Sequence, residues 1–388
     1  MNPHVYLQDE KQIEAVESIT RVDEAGHLYE MEAKYDYYDL PEVFKAYIDA
    51  GCSCFVTKDL DGHVLFCRNY DFSHFPNNDR SQKRTGINVV VKTENPKARY
   101  KTIGVSDAYW LDFRNGSFYE GKADDGKSDV SPFVLCPMIC MDGMNEKGLA
   151  LAILALAVKT DWQPIPYERY EERLDKYKKN LFMDVSGQEP DPYWFHASLN
   201  SIAVNTADKK AWIATMPLIQ TKAQGKPTLL HPILMRMALD NCANVKEAIG
   251  LFSQYNVKGA MPGADYHILV ADADGDSALI EWDGDEMKTT KIDHATNHYV
   301  CKEDPFFKEG CGRDECLKAG LFRTRKAGMR EDFAVNLLKL VAQDPENKTD
   351  NSKTQYSCIY DLHDKTMKIF SYGDLEKYWT YSFDKTQM

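Results

Sequence analysis

Two cysteines two residues apart, Cys52 and Cys54, stand at the head of the stretch GCSCFVTKDLDGHVLFCRNYDF (51–72), and Arg68 and Asp71 stand near its far end. A thiol, a guanidinium and a carboxylate so close together are parts for nucleophilic catalysis. A thiol nucleophile needs a base to take its proton, a positive neighbour to favour thiolate, and donors for an oxyanion. The first base to consider is histidine, and His63 and His74 are near in sequence. None of the ten histidines lies in a recognisable catalytic motif. A second solution uses the nucleophile's own α-amino group, whose pKa of about 7.7–8.0 suits proton transfer near neutrality. That requires the cysteine to be residue one of a mature chain. For Cys52 the bond to cut follows Gly51, and the thiol can itself attack the Gly51 carbonyl. Glycine suits the strained backbone that such a step demands.

The elements that position these groups read as a hairpin. Cys52–Thr57 is a strand, Asp59–Gly62 a turn with Gly62 free to take positive φ, and His63–Asn69 the returning strand. Asn88–Lys92 and Tyr100–Ser106 are further strands. Ser131–Asp142 and Gly148–Val158 are apolar throughout and read as strands buried on both faces. Residues 159–197 are aromatic and irregular, a helical insertion or a lid. Leu229–Tyr255 carries apolar residues at helical spacing, one or two helices. Asp265–Ala271 and Ser277–Trp282 form a hairpin around the turn 272–276. That acidic turn is not a calcium loop, because Ser277 and Asp283 stand where Gly and Glu are needed. Arg313–Leu340 is mostly helical. Gln355–Asp361 with Thr366–Tyr372 makes a last hairpin, and a final strand runs near Tyr378–Phe383. Strands, helices, strands, helices and strands in that order fit an antiparallel sheet pair sandwiched by helices.

Before this catalytic stretch, residues 1–51 are charged and Tyr-rich, with a short helix expected at Pro41–Ala50. With little core of its own, this segment is either an arm packed on the domain or a propeptide. The 388 residues carry 60 acidic and 47 basic side chains, a net charge of −13. That balance argues against a nucleic-acid partner, which needs a basic face. The longest apolar run, Leu149–Val158, is far below the roughly 20 residues that span a bilayer. No secretory signal opens the chain, so a cytoplasmic protein with ten reduced cysteines is expected. No cysteine pair has zinc-ligand spacing, so neither metal nor cofactor is expected, and most cysteines read as small buried hydrophobes.

The run GCSCF…DGHVLFCRNYDF resembles the start of the mature chain in the choloylglycine hydrolase superfamily of N-terminal nucleophile cysteine hydrolases. Those enzymes hydrolyse linear C–N amides; bile salt hydrolases, penicillin V acylases, acid ceramidase and N-acylethanolamine amidases are among them. Arg68 follows Cys52 by 16 positions and Asp71 by 19, the family's spacing; counted from Cys54 it would be 14 and 17. The resemblance thus selects Cys52 and leaves Cys54 as a neighbour on the same strand face. GMNEKGLALA (143–152), YHILVADADGDSALIEW, ATNHY and TQYSCIYDL continue the likeness in order over most of residues 52–388.

The resemblance implies an α+β fold, the four-layer αββα sandwich, as one catalytic domain over 52–388. It implies Cys52 as nucleophile and its freed amine as general base and then acid. Arg68 and Asp71 would hold thiol and amine, with Arg68 favouring thiolate. Asn297 would donate to the oxyanion through its side-chain amide, and Arg313, opening a helix, would supply a distal organising charge. The implied substrate is a small N-acylated amide of bile-salt, penicillin V or N-acyl-amine type. Two departures move the expectation away from bile salts. Ala155 falls where bile salt hydrolases place an oxyanion Asn, and 51 residues precede the cysteine rather than one. An acyltransferase, and a latent member that retains its first 51 residues, are the alternatives. The oligomeric state stays open, with a homo-oligomer among the options.

Overall fold

The computed structural model describes residues 10–39, 51–72, 87–108, 131–156, 161–169, 171, 202–205, 207–215, 219–259, 265–304, 311–343 and 353–383. Its strands begin with β1 (Thr20–Arg21), β2 (Leu28–Ala33), β3 (Gly51–Lys58), β4 (Val64–Phe72), β5 (Asn88–Thr93), β6 (Thr102–Asp107) and β7 (Cys140–Asn145). They continue with β8 (Ala150–Leu156), β9 (Asp161–Ile165), β10 (Ile202–Asn205), β11 (Lys210–Thr215), β12 (Thr228–Leu230) and β13 (Asn256–Lys258). The last are β14 (Asp265–Ala271), β15 (Ser277–Asp283), β16 (Glu286–Thr290), β17 (His294–Ala295), β18 (Lys353–Asp361), β19 (Thr366–Ser371) and β20 (Tyr378–Ser382). The α-helices are α1 (Glu10–Glu17), α2 (His231–Asn241), α3 (Val245–Phe252), α4 (Gly312–Thr324) and α5 (Glu331–Val341).

Two sheets carry the molecule. One has nine strands in the order β1-β2-β5-β6-β7-β8-β14-β15-β16, and the other six in the order β17-β3-β4-β18-β19-β20. They face one another where β3 lies against β8. Helices α2 and α3 cover the outer face of the first sheet, and α4 and α5 that of the second. The layer order is therefore α, β, β, α, an α+β sandwich. Neighbouring strands in both sheets are antiparallel except β2 and β5, which run parallel.

The apolar patterns explain the layers. In β8 every residue but Ala155 is fully buried, as expected for a strand covered on both faces. Leu317 and Leu321 of α4 and Leu337, Leu338 and Val341 of α5 pack on Phe55, Leu65 and Cys67 of the six-stranded sheet. Each such side chain contributes roughly 1.5–3 kcal/mol when fully buried. Gly62 has φ +88°, so the β3–β4 turn uses a backbone that side chains rarely adopt. Gly148 also has positive φ, and a Cβ there would fall 2.3 Å from the Leu362 carbonyl, so the β7–β8 turn admits no larger residue.

Two expectations are corrected, and a third falls mostly outside the described residues. Ser131–Ile139 is a 3-10 helix, and the strand starts only at Cys140. Pro137 inside that stretch lacks the N–H that a central strand must donate. Within 159–197 the described residues are 161–169 and 171: β9 pairs with β11 in a three-stranded sheet, and residues 167–169 and 171 are helical. The rest of that excursion, and the helix expected at Pro41–Ala50, lie outside the described residues. The N-terminal segment has more core than its charge suggested. Leu28, Tyr29, Met31, Ala33, Tyr35 and Tyr37 are buried, and β2 sits inside the large sheet between β1 and β5. The hydroxyls of Tyr37 and Tyr38 donate to Asp240 Oδ2 at 2.8 and 2.6 Å, and Asp240 Oδ1 pairs with Arg236 at 2.5 Å. Among the described residues, no helix is long and apolar enough to cross a membrane.

Candidate active site

The hairpin β3–β4 splits its side chains between two layers. Cys52 lies opposite Tyr70 and Cys54 opposite Arg68. Cys52, Cys54, Val56, Phe66 and Tyr70 point into the core between the sheets. Phe55, Leu65 and Cys67 point toward α4 and α5, and Asn69 donates to the Leu338 carbonyl of α5. The alternation puts Cys52, Cys54 and Arg68 on one face and Asp71 on the other.

Arg68 is fully buried and serves three groups. Its Nη2 meets Cys52 Sγ at 3.0 Å, its Nη1 meets Cys54 Sγ at 3.6 Å, and its Nε pairs with Asp142 Oδ2 at 2.6 Å. Asp142 comes from β7, so this ion pair bridges the two sheets. Tyr356 and Tyr360 of β18 donate their hydroxyls to the same carboxylate. Burial pushes the Cys52 thiol up to about 11, with the Arg68 guanidinium opposing it. Arg68 thus favours thiolate, but burial dominates in the full-length chain and Cys52 is a closed thiol.

The main chain of Cys52 is clamped from both sides. Its N–H donates to Asn297 Oδ1 at 3.0 Å. Its carbonyl accepts from Arg313 Nη1 at 3.2 Å. Arg313 Nη2 donates to the same Asn297 oxygen at 2.7 Å, and Nη1 pairs with Asp71 Oδ2 at 3.1 Å. Asp71 Oδ1 accepts from Thr354 Oγ1 at 2.6 Å. Arg68, Asp71, Asn297 and Arg313 therefore all converge on Cys52: Arg68 at the thiol, Asn297 and Arg313 at the main chain, and Asp71 through its own main-chain hydrogen bond to the thiol and through its carboxylate on Arg313. Gly51 is an extended member of β3 opposite Asp71.

The amide of Asn297 has a task in this chain already. Its Nδ2 donates to the Ala155 carbonyl at 2.6 Å. Ala155 does reach the site through its main-chain carbonyl, while its methyl side chain supplies no donor. His63 stands at the far turn of the hairpin, and His74 lies outside the described residues.

No family model and no curated protein matches this chain. Its similarity is to solved structures. Two variants of conjugated bile acid hydrolase from Clostridium perfringens are each 14% identical to it, with a TM-score of 0.48. The matches cover 87% of this chain and 93% and 94% of those chains. Penicillin V acylase from Agrobacterium tumefaciens is 14% identical, with a TM-score of 0.39, over 86% of this chain and 87% of that one.

Four participants escaped the sequence reading: Asp142, Thr354, Tyr356 and Tyr360. Asp142 carried a signal, since a carboxylate ending a long apolar run must find a buried partner. The others lie along β18, with a register shift between Thr354 and Tyr356, and carried none.

One further group holds the residue next to Arg313. His294 of β17 is buried, with Nδ1 2.8 Å from Asp293 and Nε2 3.1 Å from Asp314, the residue after Arg313. Burial opposes its charge, but hydrogen bonds to the two carboxylates outweigh this and raise its pKa to about 9. The unfolded value is about 6.5, so the stabilisation is complete below that pH and lost as pH rises through 9. The melting temperature should fall by about 2 °C or more between pH 6.5 and 9.5. His294→Gln should flatten that slope in a differential scanning fluorimetry series, and an unchanged slope would remove His294 as its source.

Proposed function

We propose that the chain is the precursor of a cysteine amide hydrolase whose nucleophile is Cys52. One arrangement carries this reading: the thiol lies 3.0 Å from a buried guanidinium while the nitrogen of the same residue rests 3.0 Å from Asn297 Oδ1. A nitrogen with a waiting acceptor is of use to catalysis once it is a free amine.

In maturation the Cys52 sulfur attacks the Gly51 carbonyl. The amide C–N bond breaks, the nitrogen takes the proton, and a thioester forms. Water then cleaves the thioester, leaving a Gly51 carboxylate and a free Cys52 amine. In turnover that amine takes the thiol proton, and the sulfur attacks the acyl carbon of the substrate. The amine returns the proton to the departing amine product, and water releases the acid from the acyl-enzyme. Arg68 offsets the charge on sulfur, and Arg313 and Asn297 keep the reacting residue in register. The substrate class is a linear, non-peptide amide of an N-acylated small molecule.

A second reading, a latent chain that keeps its first 51 residues, is favoured by the burial of Cys52 and by the two strands that the N-terminal segment gives to the large sheet. One preparation separates the two. Intact-mass spectrometry should find a cut between Gly51 and Cys52, and the processed protein should release amine from a panel of N-acyl amides. The two pieces should co-elute in gel filtration, because β2 stays laddered to β5. A full-length, inactive chain would favour latency, and a full-length chain that hydrolyses amides would eliminate the free amine as base.

A further inference from the structure

The loop that carries Asn297 follows the short strand β17 and is tied down by side chains of the nine-stranded sheet. His267 stands on β14 and Glu281 on the neighbouring β15, and both are fully buried. His267 Nε2 lies 2.7 Å from the Thr296 carbonyl oxygen, and its Nδ1 lies 3.2 Å from Glu281 Oε1. The same carboxylate takes two main-chain N–H groups from the far side of the loop. Val300 donates to Oε1 at 2.9 Å and Cys301 to Oε2 at 2.7 Å.

The roles follow from what each atom can do. A carbonyl oxygen only accepts, so His267 Nε2 carries a proton and donates it to Thr296. Burial opposes a charge on Glu281, but the His267 ring and the two N–H groups outweigh it and hold the carboxyl below its usual range. Glu281 thus stays an acceptor, and it gathers the His267 ring and the far side of the loop onto one side chain.

The Thr296 carbonyl belongs to the planar peptide that leads into Asn297. A donor fixed on that oxygen therefore sets the direction from which the Asn297 side chain starts. Glu281 fixes the chain just beyond it. Between these two anchors Asn297 meets its partners, with Oδ1 3.0 Å from the Cys52 nitrogen and Nδ2 2.6 Å from the Ala155 carbonyl.

We infer that His267 and Glu281 are positioning residues for Asn297 and, through it, for the nitrogen of Cys52. This role rests on the reading of Cys52 as a nucleophile whose freed nitrogen is the base. Neither side chain meets the reacting atoms. The pair stands on the nine-stranded sheet and Cys52 on the six-stranded one, so the loop carries a fixed geometry from one sheet to the other. An acceptor displaced by about 1 Å would leave the amine misaligned with the thiol, an effect on the order of 100-fold in rate.

The test is Glu281→Gln, which keeps the shape of the side chain but sets an amide donor where an oxygen stood. In the cut protein, kcat on N-acyl amides should fall about 10- to 100-fold while KM stays within about threefold. A folded variant that remains uncut shows the same loss one step earlier. In an Asn297→Ala background, Glu281→Gln should cost less than about threefold more, because the residue it acts through is gone. Full activity in Glu281→Gln, or losses that multiply with those of Asn297→Ala, would overturn the role. Nitrogen-15 NMR of the histidine-labelled parent gives a check that depends on neither turnover nor the folding of a variant. His267 should show a proton on Nε2, and a bare Nε2 would sink the role whether or not the chain is an enzyme. An uncut, inactive parent with that proton in place would overturn the hydrolase reading alone and support the anchoring of the loop.

Discussion

Cys52→Ala should give a folded, full-length chain with no amide hydrolysis. Without the sulfur, nothing attacks the Gly51 carbonyl, so the bond before residue 52 stays intact and the amine that would act as base never forms. Activity on N-acyl amides should fall by about 10⁴-fold or more, the scale seen when a nucleophile is removed. The fold should survive, because the change deletes one buried sulfur atom and Cys52 sits in a strand paired along its length with β4. The control is Cys54→Ala. Cys54 shares the face and touches the same guanidinium, yet its pKa is raised, mainly by burial, to about 12. If Cys52 is the nucleophile, the Cys54 variant should still be cut after Gly51 and still turn over. Intact-mass spectra and amine release on both variants decide the matter, and a cut, active Cys52→Ala protein would transfer the role to another group.

The second large effect concerns a residue that never touches the reacting atoms. Asp142→Asn should destabilise the chain by about 3–5 kcal/mol, the cost of leaving one member of a buried ion pair without its partner. Arg68 has no route to solvent, and Asp142 is the carboxylate at its Nε. The asparagine keeps an oxygen for Tyr356 and Tyr360 but brings no charge to offset the guanidinium. Urea unfolding measures the difference, and a loss below about 1 kcal/mol would mean that Arg68 gains little from the pair. Asp142→Asn should also slow maturation, since a guanidinium released from Asp142 no longer has a fixed approach to the Cys52 sulfur.

The sequence showed the local part of this site and missed the part assembled at a distance. The hairpin was visible because Gly62 closes a turn between two runs of strand-forming residues. Asn297 and Arg313 were reached through short motifs in the right order, and the structure brings both to the main chain of Cys52. Asp142 is 74 positions from Arg68, and only the stacking of the two sheets makes them neighbours. The N-terminal segment was underestimated for a related reason. In LYEMEA the acids Glu30 and Glu32 hide an alternation whose other members, Tyr29, Met31 and Ala33, are buried, and charge density masked the strand period. Pro137 marked a break in an apolar run that was read as one strand.

The ladder between β2 and β5 has a consequence for refolding. A cut before Cys52 would divide the large sheet between two polypeptides that fold as one only while joined. Before the cut, β2 finds β5 by closing a loop within its own chain, at a rate independent of dilution. After it, the same pairing is a bimolecular encounter, and a denatured sample must reassemble from separate pieces. Such a protein would persist through slow unfolding rather than through a reversible balance with the unfolded state. Its working lifetime would then be fixed by the height of the unfolding barrier, and loss of the small fragment would be permanent at cellular dilution.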